Sequence, residues 1–157
     1  MDLHTCSNER NSFDVMFKDE KVGVLHAKEA KSESKSFKEL TIETNSTFLF
    51  IPIYTESEVT TTQENGILIE GTAYRNASRN SSDVSATITK IGFRHYQLER
   101  NGVKDKIRTK AITFCVVDLY FKEPIGVTQV FSNMYTQMQK LKRIDIGKIC
   151  FPGIIIK

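Results

Sequence analysis

Three histidines, three cysteines and a row of alternating lysines are the residues of this chain with chemistry in them, so their spacing comes first. A zinc site gathers its ligands at short intervals, as in Cys-x-x-Cys. His4, His26 and His95 share no such interval with one another or with Cys6, Cys115 and Cys150. His26 and His95 fall on predicted strands, where a structural or solvated role is the simpler one. A serine hydrolase sets its nucleophile on a strained turn, and a nucleotide site needs a glycine-rich loop. Neither Gly-x-Ser-x-Gly nor a phosphate loop occurs, and the eight glycines are mostly isolated at turns. Glu56 and Glu58 share one strand face, which reads as a solvated edge rather than an acid–base pair. No catalytic residue, metal ligand or cofactor is assigned, and the chain reads as a protein that is not an enzyme. Cys115 sits inside Ile112-Thr113-Phe114-Cys115-Val116-Val117 and reads as a buried, inert thiol. The spacing leaves a Cys6–Cys150 disulfide open.

Two groups of residues remain as candidate binding surfaces. Lys104, Lys106, Arg108 and Lys110 are spaced by two and project from one face of a strand, with Arg94 and Arg100 nearby. They could draw in an anionic partner, or form a solvated outer face that discourages edge-to-edge pairing. No aromatic interleaves them, and the net charge of +3 is too small to imply a nucleic-acid partner. The second group is apolar: Phe48, Phe50, Ile53 and Tyr54 from one segment, Phe131, Met134 and Met138 from another. Met and Phe adapt to irregular apolar ligands, and they fill ordinary cores as well.

The elements that position these residues announce themselves by punctuation. Glu64-Asn65-Gly66 and Arg100-Asn101-Gly102 are tight hairpin turns, because Asn-Gly tolerates positive φ at both central positions. Around the second, Phe93–Leu98 runs in and Val103–Arg108 runs out. Phe13, Val15 and Phe17 alternate with polar neighbours, and Val22, Val24 and His26 continue after an Asp19-Glu20-Lys21 turn. Lys31–Lys38 is a long turn or strand end before Leu40 and Ile42. Phe48–Tyr54 is the most apolar stretch, and Pro52 makes it bent, bulged or at an edge. Asn76–Asp83 is a polar loop, where Asn76 and Asn80, like Asn45, head chance glycosylation triplets. Val84, Ala86 and Ile88 enter the next strand, and Ala111–Phe121 reads as a long central strand. Val127, Val130, Phe131, Met134, Tyr135 and Met138 fall at helical spacing, which predicts one helix over about 126–138. Short strands over Lys140–Ile144 and Lys148–Ile156 close the chain.

At 157 residues, with 39% apolar and 26% charged, the chain is expected to be one globular domain. Residues 1–11 form a flexible N-terminal segment and 12–157 an antiparallel β domain. No run approaches the length of a membrane span. Met1-Asp2-Leu3-His4-Thr5-Cys6 lacks the basic-then-apolar pattern of a secretory signal, which leaves open a cytosolic protein or one whose signal has been removed.

Phe13-Asp14-Val15 with Lys21-Val22-Gly23, and above all Leu119-Tyr120-Phe121-Lys122-Glu123-Pro124 with Val130-Phe131-Ser132, resemble a family of uncharacterised small β proteins from Gram-negative bacteria. The resemblance spans most of residues 12–145. It implies an exported protein of the periplasm or cell envelope and, at fold level, a likeness to the open-barrel carriers of lipids and lipoproteins. It also implies a Pro-Asx-Gly turn and a further hairpin beyond Phe151-Pro152-Gly153.

The expected fold is mainly β: a single curved antiparallel sheet, or open half-barrel, of hairpins with the 126–138 helix against its concave face. The expected function is a non-enzymatic binding or carrier module. It would hold a hydrophobic small molecule, a lipid or an envelope protein in that face. The alternative is a structural or scaffolding envelope protein working through its outer surface.

Overall fold

A computed structural model describes residues 7–48, 50–77, 83–145, 148–151 and 154–156. Eight antiparallel strands follow one another in chain order as a meander: β1 (Ser7–Phe17), β2 (Glu20–Lys31), β3 (Lys35–Phe48), β4 (Ile51–Glu64), β5 (Ile67–Ala77), β6 (Val84–Gly92), β7 (His95–Arg100) and β8 (Val103–Arg108). β1 and β8 are not paired with each other, so the sheet stays open. Both Asn-Gly turns form as expected, with φ of 50° and 76° at Asn65-Gly66 and 50° and 80° at Asn101-Gly102. Alternation sets the two faces: Val84, Ala86 and Ile88 are buried on β6 while Ser85, Thr87 and Thr89 are exposed. Register shifts at Val15/Met16, Thr62/Gln63 and Lys90/Gly92 break the ladders locally and sharpen the twist.

Several segments differ from their sequence reading. The strand β1 begins at Ser7, with Ser7–Asn11 paired to Lys31–Ala27. An edge strand is held by its backbone ladder and needs no apolar pattern of its own. The Lys31–Lys38 stretch is a short turn, closed by Ser32 N–H to the Lys35 carbonyl at 2.8 Å, and Lys38 points inward as a buried residue. Phe48–Tyr54 is not one strand: β3 ends at Phe48, and Phe50 takes φ 66° on the turn into β4. Pro52 pairs with Thr47 without a bulge. Among the described residues β4 meets β5 from Thr55 onward, which leaves Pro52 paired on the β3 side alone, where a missing donor is tolerated. Strand β5 runs to Ala77, and 78–82 of the expected polar loop lie outside the described residues.

The predicted central strand Ala111–Phe121 is instead an irregular strap with one 3-10 turn, Val116–Tyr120. A continuous apolar run is as much the mark of a segment sandwiched against a sheet as of a central strand. The deciding residue is Asp118, whose carboxylate accepts the Cys115 N–H at 2.7 Å and curls the chain.

The predicted helix over 126–138 is overturned. Its residues form a hairpin, β9 (Gln129–Ser132) against β10 (Gln137–Lys140), turning through Thr136 at φ 52°. Val130, Phe131, Ser132 and Asn133 are all buried in succession, a pattern that imitates i, i+3, i+4 spacing when neighbours are sampled sparsely. The β-branched Val127, Thr128 and Val130 favour the extended form. Beyond it lie β11 (Lys142–Asp145), β12 (Lys148–Phe151) and β13 (Ile154–Ile156), three strands where two were expected. His4, Cys6 and with them the Cys6–Cys150 pairing lie outside the described residues.

The core sits between the inner face of the sheet and the strap. Leu25, Ala27, Leu40, Leu68, Ile88, Tyr96 and Leu98 meet Ile112, Cys115, Val117 and Phe131, all at 5% exposure or less.

Candidate functional site

The strap crosses the sheet from one side to the other. Leaving β8, it meets Tyr96 of β7, whose hydroxyl accepts the Ile112 N–H at 3.2 Å, then Leu68 of β5, whose N–H donates to the Ile112 carbonyl at 2.8 Å. It ends over β1, where the Tyr120 ring stands edge-on to Phe13 at 5.5 Å. The return limb is held by Phe131 N–H to the Phe114 carbonyl at 2.9 Å. Asn133 then lies over Gly71 and donates to the carbonyls of Thr60 (2.9 Å) and Thr72 (3.4 Å). Finally Arg100 Nε donates to the Met134 carbonyl at 3.0 Å.

Midway under the strap is a buried polar cluster. Lys38 of β3 faces Glu29 across the β2–β3 ladder, and Asp118 descends on both from above. Lys38 Nζ reaches Asp118 Oδ1 at 2.5 Å, Gln63 Oε1 at 3.0 Å and Glu29 Oε1 at 3.4 Å. Asp118 Oδ2 accepts from the Cys115 N–H at 2.7 Å and from Gln63 Nε2 at 3.2 Å. The side chains of Lys38, Glu29 and Asp118 are 4%, 2% and 0% exposed. Two half-exposed lysines flank them, Lys31 at 2.9 Å from Glu29 Oε2 and Lys122 at 4.0 Å from Asp118 Oδ1. Ser36 donates to Glu29 at 3.0 Å. Burial by itself raises the Glu29 carboxyl, but Lys31, Lys38 and Ser36 outweigh it and hold the group below its ordinary value. Nearby, burial and then the Asp118 charge push the Cys115 thiol upward, and burial pushes the Tyr120 phenol up to about 12. Removing either partner of such a pair would strand a charge in the interior.

The sequence-predicted apolar residues do not converge on one cavity. Phe131 is fully buried in the core, Met134 packs half-buried against Ala73, Val84 and Ala86, and Met138 is exposed on β10. Phe50 projects into solvent, 97% exposed, and Tyr54 lies exposed on the outer face. Ile53 is half-buried on the inner face; the Phe48 side chain lies outside the described residues. Lys104, Lys106 and Arg108 do share the outer face of edge strand β8, opposite Glu99, Gln97 and His95, and Lys110 follows the strand's end, exposed. His26 Nδ1 meets Ser12 Oγ at 2.8 Å, and His95 Nδ1 meets the Phe93 carbonyl at 2.7 Å, both in the open. Among the described residues no group of His, Cys, Asp or Glu is disposed to hold a metal, and no helix is long and apolar enough to cross a membrane.

The two ends of the sheet differ. The turns at Lys18-Asp19 and around Phe50 bring Met16, Phe17, Phe50 and Ile51 to one end, all exposed. At the other end are Ser32-Glu33-Ser34, Asn65-Gly66 and a single exposed aromatic turn residue, Phe93. Between the strap and the Phe50 end, the inner face carries Val15, Thr44, Ile53, Thr55 and Ala77, each half-buried.

An open eight-stranded antiparallel meander, strapped across its inner face over buried charge, defines a class of small β domain. The chain belongs to the DUF6134 family, a domain of unknown function, whose family model matches residues 13–148. No curated protein and no solved structure matches it.

Proposed function

We propose that the protein is a non-enzymatic binding module that takes an apolar ligand of the acyl-chain class at the Phe50 end of its inner face. The observation that carries this is Phe50 itself. A bulky aromatic is held at φ 66° and 97% exposed, two conditions that are each unfavourable for it. Strain of this kind persists where it serves a site, and an apolar cluster of this sort marks an interaction surface. The half-buried rungs of Val15, Ile53, Thr55 and Ala77 lead inward from it. An exported, envelope setting goes with the reading. It rests on the resemblance of Leu119–Pro124 and Val130–Ser132 to exported proteins of Gram-negative bacteria.

Native mass spectrometry of gently purified protein, with titration of an environment-sensitive fatty-acid probe, tests the reading. A lipid adduct and saturable probe binding are expected. Phe50→Ser and Ile53→Asp each weaken binding about tenfold, the worth of one apolar side chain removed from water. A clean apo mass together with no probe binding overturns it. The filled interior beneath the strap then favours the scaffolding alternative, acting through the outer face.

A further inference from the structure

We propose that Lys38 and Asp118 condense into an intramolecular amide that ties the strap covalently to β3. The cluster beneath the strap holds each part that such a reaction needs. The nucleophile and carboxyl are in contact, Nζ to Oδ1 at 2.5 Å, so the step is unimolecular and positioned by the fold. The other carboxyl oxygen, Oδ2, already accepts two N–H donors, from Cys115 and Gln63. Those donors would stabilise the charge that gathers there when the carbon becomes tetrahedral. Gln63 also holds Lys38 from its other side through Oε1. Glu29, 3.4 Å from Nζ, is the group placed to carry protons.

The reaction balances without any outside reagent. Glu29 takes one proton from the Lys38 ammonium, and the freed lone pair attacks Asp118 Cγ. The N–C bond forms, the Cγ–Oδ1 bond breaks, and Oδ1 leaves as water. Of the three ammonium protons, one stays on the amide nitrogen and two depart with Oδ1, relayed by Glu29, which ends as it began. In bulk water the reverse reaction is favoured. Here the product replaces a buried ion pair, whose desolvation is costly, with a neutral amide, and sends one water to solvent. Lys122 lies 4.0 Å from Oδ1 and half-exposed, so it neighbours the carboxyl without being the placed nucleophile.

The intact full chain, unfolded in denaturant and weighed by mass spectrometry, gives the test. The expected mass is lighter than the sequence requires by one water, and a protease digest yields a fragment joining the peptides of Lys38 and Asp118. Lys38→Arg keeps its full mass. Glu29→Gln, which preserves shape, folds to the same circular dichroism and acquires the bond at least about a hundredfold more slowly. A wild-type chain that retains its full mass after prolonged incubation overturns the bond and leaves an ion pair. A joined fragment running through Lys122, or water loss as an aspartyl imide with no joined fragment, overturns it equally. A Glu29→Gln chain that links at the wild-type rate removes Glu29 from the mechanism as written.

Discussion

Asp118 does two jobs with one carboxylate: it caps the Cys115 amide, and it anchors Lys38. Its neighbour Cys115 is 0% exposed, with its thiol pushed up by burial and by that same charge. The thiol is therefore scarcely ionised at neutral pH, and the thiolate is the reactive form. Cys115 is expected to resist iodoacetamide in the native protein and to be labelled fully once unfolded; peptide-resolved mass spectrometry separates it from Cys6 and Cys150. Labelling in the folded state at the unfolded rate would show that the strap lifts off. This much was readable beforehand, since a cysteine within an apolar run is a packing residue. Asp118 stood in the same run as its lone charged residue, and that was one available sign of the buried cluster. Lys38 stands in phase with Leu40 and Ile42, and Glu29 with Leu25 and Ala27, but the surrounding Ser/Lys/Glu stretch looks like surface, and burial of a lysine depends on which strand faces which.

Among the elements, β5 and the returning limb of the strap meet closely at Gly71. A Cβ on Gly71 would stand 2.4 Å from Asn133 Nδ2, 3.0 Å from the Thr60 carbonyl and 3.2 Å from Ile88 Cγ2. Gly71→Ala therefore displaces the Asn133 amide from two carbonyl acceptors. It is expected to cost about 1–3 kcal/mol in urea unfolding. Asn133→Ala frees the same space, so the double variant is expected to be less destabilised than the two single changes summed. Strict additivity would mean that the two residues do not meet. The hairpins were legible because Asn-Gly turns and period-two alternation are local signals. The strap and the β9–β10 hairpin were not. Both faces of Val130–Asn133 are covered, and two apolar residues followed by two polar ones show no period-two alternation, so a sparse reading of Val127, Val130, Phe131 and Met134 imitates a helix.

At the scale of the whole molecule, the buried charge cluster makes stability depend on acid. Glu29 ionises below its ordinary value of 4.5 in the folded chain. Its contribution is therefore complete above that value and lost as pH falls through the lower, folded-state value. Urea midpoints are expected to drop on that acid limb, more steeply for the wild type than for Glu29→Gln. Lys31 supplies the largest of the lowering influences, so the difference persists whether or not Lys38 is consumed. Parallel acid limbs would exclude Glu29 as a contributor. The order of elements along the chain has a consequence of its own. All eight strands emerge from the ribosome before residues 109–134, the segment that shields their greasy inner rungs. At ordinary translation speeds of about 5–20 residues per second, the nascent sheet is bare for about 1–5 seconds. During that interval it is exposed to neighbours and chaperones, so the newborn sheet is at its stickiest just before the strap follows it out.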